Sequence, residues 1–220
     1  FRGDTVHPWT MELFHQLGSA DALLARRHDE VRTLRGRIGG QALALIDFTH
    51  LPVRSPFIAL MPQWDFLDFL AAEAKRYPTF RLRLQAEAQT LIEESGRIVG
   101  LKAATPDGPL EVRADLVVGT DGRHSTVRAA AGLEVMNLGA PIDVLWLRLS
   151  RRTDDPPQTL GRVDAGHVFV MLNRGTYWQC AFVIRKSGFE NFKRRGLEAF
   201  RADVARVAPP LTRSAHEIKS

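Results

Sequence analysis

The chain has 220 residues, of which 45% are hydrophobic and 25% charged, and its formal net charge is +5 at pH 7. This composition excludes a disordered chain, and the length is enough to bury one sizeable core or two small ones. No apolar run approaches the roughly 20 residues that a membrane-spanning helix needs, and the one cysteine, Cys180, excludes an internal disulfide, so we expect a soluble cytoplasmic protein.

The first half of the chain alternates between helical and extended patterns. Apolar residues at helical spacing predict a helix that begins near Pro8, has Met11, Leu13, Phe14 and Leu17 on one side, and ends at Gly18. Residues 34–48 are predicted to be extended, and a second helix is predicted over residues 63–75. Three strands joined by turn-forming residues then predict an antiparallel meander over residues 80–93, 97–105 and 110–114.

The second half begins with a predicted strand, turn and helix. Residues 115–119 form a short β-branched run, and Ser125 is suited to cap a helix that ends at Gly132. From Ile142 onward the pattern changes to longer strands over residues 144–149, 167–172 and 178–185. A last helix is predicted over residues 191–207, although Gly196 disfavours it.

The turn between that strand and helix has the sequence Gly-Thr-Asp-Gly, residues 119–122. A strand that turns into a capped helix brings backbone amides and a helix N-terminus to one point, which suits an anionic phosphate. Gly119 and Gly122 permit close approach of the backbone. Asp121 can accept a hydrogen bond from a ribose hydroxyl, and Arg128 can supply positive charge. An Asp-Gly dipeptide taken alone is also a common turn.

The full string, Val-Val-Gly-Thr-Asp-Gly-Arg-His-Ser-Thr-Val-Arg at residues 117–128, resembles the Asp-Gly motif of class A FAD-dependent monooxygenases, the p-hydroxybenzoate hydroxylase family. Residues 1–8 are similar to the family's second flavin-contacting segment, in which an arginine approaches the dinucleotide; Arg2 is the nearest match. Residues 60–67 resemble the segment whose glutamine, here Gln63, reaches the ribityl chain. Taken singly, Arg2 is equally consistent with a solvated terminal residue. Gln63 is equally consistent with a residue at a helix start whose side chain is hydrogen-bonded to its own backbone.

The resemblance implies an α/β (α+β) fold. Residues 1–139 would form a partial glutathione-reductase-like FAD-binding domain that includes the meander, and residues 140–220 a β-sheet-based substrate domain. The sequence contains no Gly-x-Gly-x-x-Gly motif, so we expect the strand that carries it to lie before Phe1. The family's C-terminal FAD-binding segment would follow Ser220. We therefore expect a piece of a longer protein, inactive by itself, with about half of a flavin site.

The function that the resemblance implies is NAD(P)H-dependent monooxygenation. A small organic substrate, aromatic or polyketide-like, would be hydroxylated with O2 through a flavin C4a-hydroperoxide. The implied FAD-binding residues are Arg2, Gln63, Gly119, Asp121, Gly122 and Arg128. Since the flavin carries the difficult step, we nominate no catalytic side chain, and no metal site is expected. The substrate is expected on one face of the later strands, where the candidates are Trp146, Met171, Trp178 and Gln179.

Several alternatives stay open. A reductase, dehydrogenase or halogenase uses the same scaffold. A non-catalytic binding module would also retain this scaffold, but with an incomplete flavin site. A homodimer is a further option. A nucleic-acid binder is suggested only by the positive charge. Because the basic clusters are short and lack interleaved aromatic residues, no nucleic-acid or membrane partner is predicted.

Overall fold

A computed structural model describes residues 5–38, 41–155, 160–164 and 167–219. The chain forms two compact units, the first from residues 1–74 and 140–220 and the second from residues 75–139. The predicted division into a domain of residues 1–139 and a domain of residues 140–220 stays a prediction. None of the helices in the described ranges is long and apolar enough to cross a membrane.

The described residues form helices and strands with the following bounds. The α-helices are α1 (Pro8–Gln16), α2 (Ala20–Leu24), α3 (Gln63–Ala74), α4 (Thr126–Ala130), α5 (Phe189–Arg195) and α6 (Leu197–Val207). The strands are β1 (Thr5–Val6), β2 (Asp29–Val31), β3 (Thr33–Ile38), β4 (Gln41–Asp47), β5 (Ile58–Leu60), β6 (Glu87–Glu94), β7 (Arg97–Thr105), β8 (Gly108–Arg113), β9 (Ile142–Ser150), β10 (Leu160–Asp164), β11 (His167–Asn173) and β12 (Tyr177–Arg185).

In the first unit, helices α1 to α3 share a core with the small sheet β1-β5-β2. Met11 and Phe14 of α1 are buried there, as predicted. Leu13 and Leu17 are exposed, so the prediction that they lie on one side with Met11 and Phe14 is wrong. At about 100° per residue, Leu13 and Leu17 share a stripe on the side of the helix opposite Met11.

The first unit also contains a six-stranded sheet of order β4-β3-β10-β11-β12-β9. Neighbouring strands are antiparallel except for β3 and β10, which are parallel. The sequence analysis missed β10, because its residues Leu-Gly-Arg-Val-Asp include a glycine and two charges in place of a clear apolar alternation. Strands β9, β11 and β12 lie where the sequence predicted them.

Helices α5 and α6 cover one face of this sheet, which we call the helix face. The Phe182 ring lies at the centre of this core, 5.4 to 5.8 Å from the rings of Phe169, Phe192 and Phe200. The predicted single helix over residues 191–207 is wrong in one respect. Gly196, with φ 82° and ψ 166°, interrupts it, because this backbone conformation lies outside the helical region.

Trp178 is fully buried in this core, and its indole Nε1 donates a hydrogen bond to Asp155 Oδ2 at 2.8 Å. Trp178→Phe retains most of the ring but loses the donor, so we expect the free energy of unfolding to fall by about 1–2 kcal/mol. Urea unfolding measures this change. Trp64→Phe is the control, because Trp64 is 61% exposed and should leave the unfolding midpoint unchanged. Equal midpoints for Trp178→Phe and the wild type would contradict the assignment.

The second unit contains the predicted meander, as sheet β6-β7-β8. Its first strand begins at Glu87 and not near Phe80 as predicted. Glu87 pairs with Ala104, and β7 ends at Thr105, so β7 provides no partner for residues 80–86. The predicted strand over residues 115–119 is likewise not formed among the described residues. A β-branched run becomes a strand only when a neighbouring strand completes its hydrogen bonds.

Candidate functional site

The Gly-Thr-Asp-Gly turn of the second unit is held to the start of α4 by the Asp121 carboxylate. Oδ1 accepts a hydrogen bond from the Ser125 hydroxyl, and Oδ2 accepts from the backbone N–H of Thr126 at 2.7 Å and of Val127 at 3.2 Å. Ser125 caps α4 as predicted, since its Oγ accepts from the N–H of Arg128 at 3.0 Å. The turn and the helix start therefore form one hydrogen-bonded unit.

These hydrogen bonds change what the turn can bind. The amides of Thr126, Val127 and Arg128 already have acceptors, so the prediction that free amides at this helix start would hold a phosphate is wrong for these three. The bond from Ser125, followed by those from the backbone amides, holds the pKa of Asp121 below its usual value of 3.8. Asp121 is thus an exposed anion at neutral pH. A carboxylate has about four acceptor positions, of which three are used.

The two glycines of the turn serve different purposes. Gly122 has φ +92°, a conformation that a β-branched residue strongly disfavours, and no heavy atom beyond its chain neighbours lies within 4 Å of the position that a Cβ would take. A Cβ on Gly119 would stand 2.8 Å from Cβ and Cγ1 of Val127. Gly119 is therefore required for close packing of α4, whereas Gly122 leaves open space for a ligand.

Two arginines add positive charge to the segment that follows Asp121 in the sequence. Arg128 Nη2 donates to the carbonyl oxygen of Arg123 at 2.8 Å, and Arg123 Nε donates to His124 Nε2 at 3.1 Å. Each guanidinium has five N–H donors, so further donors remain for an anion. The turn thus offers an acceptor and cationic donors within one short segment.

A cavity of about 460 Å³ lies next to the turn within the second unit. Its size falls within the range of small-molecule sites. Its walls include Leu91 and Ile98 of the meander, the glycines of the turn, and Arg128. The lining is mainly apolar and is continued by Leu116 and Leu133. No group of His, Cys, Asp or Glu in the described ranges is arranged to hold a metal ion.

The other two predicted cofactor residues, Arg2 and Gln63, are not part of the Gly-Thr-Asp-Gly turn. Arg2 falls outside the described residues. Gln63 is the first residue of α3 in the first unit and is half-buried. Its amide makes no hydrogen bond within the described part of the chain, so the alternative of a bond to its own backbone is not realised. The structure thus brings together Gly119, Asp121, Gly122 and Arg128, and the roles of all six residues stay predictions.

The six-stranded sheet of the first unit has a face turned away from α5 and α6, which we call the open face. Arg162 of β10 marks the helix face, because its Nη1 donates to the carbonyl oxygen of Val207 in α6. Met171 and Trp178 are fully buried on that same side, so these two substrate candidates belong to the core. Trp146 and Gln179 lie on the open face, because successive side chains of β9 and β12 point to alternate faces of the sheet.

Gln179 is 2% exposed, and its amide oxygen accepts a hydrogen bond from Arg174 Nε at 3.2 Å. It adds a buried polar group to a mainly apolar face. Cys180, the next residue, points to the helix face and is fully buried. Burial raises the pKa of its thiol to about 12, so it stays protonated at neutral pH and is a poor nucleophile. Cys180 is therefore a packed strand residue.

Comparison with known proteins gives consistent relationships. A family model described as FAD binding domain matches residues 1–210. The chain is 31% identical over 151 residues to 6-methylpretetramide 4-monooxygenase of Streptomyces rimosus, which covers 68% of this chain and 36% of that protein. The chain thus spans about a quarter to a third of the length of the curated relatives that it matches.

Solved structures show the same fold. The anhydrotetracycline hydroxylase OxyS of Streptomyces rimosus superposes with a TM-score of 0.69 at 21% identity, over 94% of this chain and 41% of that one. The myxobacterial chondrochloren halogenase CndH, an FAD-dependent enzyme, superposes with a TM-score of 0.77 at 18% identity, over 98% of this chain and 51% of that one. Since hydroxylase and halogenase match comparably, the fold alone does not separate the two reactions.

Proposed function

The chain belongs to the FAD binding domain family, and on that premise we propose that it forms part of an NAD(P)H-dependent FAD monooxygenase that hydroxylates a small organic substrate. FAD is the cofactor of this family. The observation that carries the proposal is the Asp121 turn, an ionised acceptor with an open glycine beside it, in a chain 31% identical to a monooxygenase.

The turn fits the polar middle of a dinucleotide. Asp121 has an acceptor position left for a ribose or ribityl hydroxyl, and Arg128 keeps donors for the pyrophosphate. Gly122 has space where a side chain would otherwise exclude the ligand. Gly119 contributes indirectly, by allowing α4 to approach the turn. Asp121 and Ser125 hold the backbone of the site in position before the ligand arrives.

Gln63 and Arg2 complete the proposed contacts. Gln63 offers an amide with both donor and acceptor groups to the ribityl chain, and Arg2 a guanidinium to the dinucleotide. We assign the flavin-binding role to all six residues, Arg2, Gln63, Gly119, Asp121, Gly122 and Arg128. No side chain of this chain is assigned as acid, base or nucleophile.

Bound FAD would supply the redox chemistry, namely hydride acceptance from NAD(P)H and reaction with O2. The open face of the six-stranded sheet binds the organic substrate. Its exposed apolar side chains contact the ring system and exclude water from it, whereas the exposed Arg148, which pairs with the buried Gln179, offers polar contacts. The names of the relatives support an aromatic, polyketide-like compound as the substrate. A cytoplasmic location without nucleic-acid or membrane partners belongs to the same proposal.

The test is incorporation of labelled oxygen. The protein expressed from its full reading frame, loaded with FAD, is incubated with NADPH, 18O2 and polycyclic phenols. We expect a product that contains one 18O atom, detected by mass spectrometry. A halogenated product formed only with added halide, or a product that is oxidised without gain of oxygen, would contradict monooxygenation and support the halogenase or dehydrogenase alternative.

A further inference from the structure

The open face of the six-stranded sheet contains a trough, as the strand register reveals. Gly161 of β10 is paired with Gly36 of β3 on one side and with Val170 of β11 on the other. Val170 pairs with Ala181 of β12, which pairs with Trp146 of β9. Because directly paired residues point to the same face of a sheet, these five positions form one row across the open face, which Leu43 of β4, the partner of Gly36, continues.

The side chains of this row are small at its centre. Two adjacent glycines are followed by a valine and an alanine, and the row ends at the large ring of Trp146. Ala181 is buried and Trp146 is exposed, so the indole forms a wall at this end. Backbone therefore forms much of the floor, where side chains would otherwise fill the space.

Leu45 forms the opposite wall. A Cβ placed on Gly36 would stand 2.5 Å from Leu45 Cδ1, and one placed on Gly161 would stand 3.9 Å from the same atom. The Leu45 side chain thus lies over the glycine pair. It takes this position because the register of β3 and β4 shifts between Leu34 and Arg35, a β-bulge that leaves Leu45 without a partner in the ladder.

The distance between the two walls suits a flat ring system. Leu45 lies over β3 and β10, and Trp146 is on β9, three strands from β10. At about 4.8 Å per strand the separation is roughly 14 Å, before the side chains narrow it. The trough is apolar along its floor and has the exposed, polar Arg148 next to Trp146 on the same strand face. A fused aromatic compound with a polar edge has the matching shape and chemistry.

We infer that Leu45 is a specificity-determining residue, whose side chain closes one end of this trough and limits the length of the aromatic substrate. The inference rests on the proposed function, since it assumes that the open face binds the substrate. Leu45 is 43% exposed and is not part of the packed core, so its truncation should lengthen the trough and leave the fold intact.

The first experiment tests the contact without any ligand. Gly36→Ala places a Cβ against Leu45 and should lower the Tm of the otherwise unchanged protein. In a Leu45→Ala background the same substitution should lower Tm by clearly less, because the obstructing isobutyl group of Leu45 is gone. Equal effects of Gly36→Ala in the two backgrounds would overturn the placement of Leu45.

The second experiment tests specificity by binding of two probes, 1-naphthol and the longer 1,8-dihydroxyanthraquinone, measured by equilibrium dialysis against the FAD-loaded protein. Leu45→Ala should shift the ratio of the two dissociation constants by about tenfold in favour of the longer probe, the usual effect of a change of this size in an apolar pocket. Leu13→Ala is the matched control, because Leu13 is a similarly exposed leucine, at 52%, and lies on α1, outside the six-stranded sheet.

Three results would overturn the inference: an unchanged ratio, a shift of equal size in Leu13→Ala, or no binding of either probe to wild type and variant. Reduced FAD retention in Leu45→Ala would also overturn it, because Leu45 would then contact the flavin. Failure of the proposed function is distinguishable. If the ratio shifts but no 18O enters a product, the trough binds a ring system and the monooxygenase assignment falls.

Discussion

Gly122→Val is expected to lower the affinity for FAD by about 10- to 100-fold. With φ +92°, valine must either adopt a strained backbone conformation, which costs about 1–3 kcal/mol, or move the turn away from the start of α4. Its branched side chain would also fill the space that the structure leaves open beside Asp121. Titration of the apoprotein with FAD, followed by quenching of flavin fluorescence, measures the change.

The chain contains a matched control for this substitution. Asp107-Gly108 in the meander repeats the dipeptide, and Gly108 also has a positive φ, +114°, with no heavy atom within 4 Å of its Cβ position. Gly108→Val therefore imposes comparable backbone strain in the same unit, away from the Gly-Thr-Asp-Gly turn. We expect it to reduce Tm without a change in FAD affinity. Equal loss of FAD affinity in both variants would mean that general destabilisation, and not the turn, is responsible.

Asp121→Ala is expected to weaken FAD binding by about tenfold, the effect of losing one hydrogen bond to a charged group. It also removes the acceptor of the Ser125 hydroxyl and of two backbone amides, so α4 should become less stable and Tm should fall. Both quantities are measured on one protein, by FAD titration and by thermal unfolding.

Asp121→Asn separates the two contributions. The amide oxygen of asparagine can still accept from the N–H groups of Thr126 and Val127, and its amide nitrogen can donate to Ser125 Oγ, so Tm should partly recover, whereas loss of the negative charge should leave FAD binding weaker than in the wild type. Asp107→Ala serves as the control for removal of an exposed aspartate next to a glycine. If Asp121→Ala and Asp107→Ala retain FAD equally well, Asp121 has no role in binding the dinucleotide.

The features that could be predicted from the sequence depend on neighbouring residues. Ser125 caps α4 because its hydroxyl reaches an amide three residues away, and Gly18 and Gly132 end helices by adopting positive φ. The meander was predictable because Ser95-Gly96 and Pro106-Asp107-Gly108 are turn sequences between strands of matching length. The Gly-Thr-Asp-Gly turn was recognisable for the same reason.

The features that could not be predicted depend on residues far apart in the chain. Residues 80–86 and 115–119 have strand-like sequences, but no described strand pairs with them. Strand β10 has a weak pattern of its own and is stabilised between β3 and β11. The position of Leu45 over Gly161 joins residues more than a hundred positions apart. For Asp121 the residue type was informative, but its bonds to Thr126 and Val127 required the three-dimensional structure.

The most direct test of the account is the visible absorption spectrum of the protein, expressed from its full reading frame, after FAD has been added and unbound FAD removed. We predict the absorption bands of bound flavin at close to one FAD per chain, and their near-complete loss in Gly122→Val but not in Gly108→Val. A colourless wild-type protein, or equal flavin content in the wild type and Gly122→Val, would contradict the assignment of this turn to an FAD site.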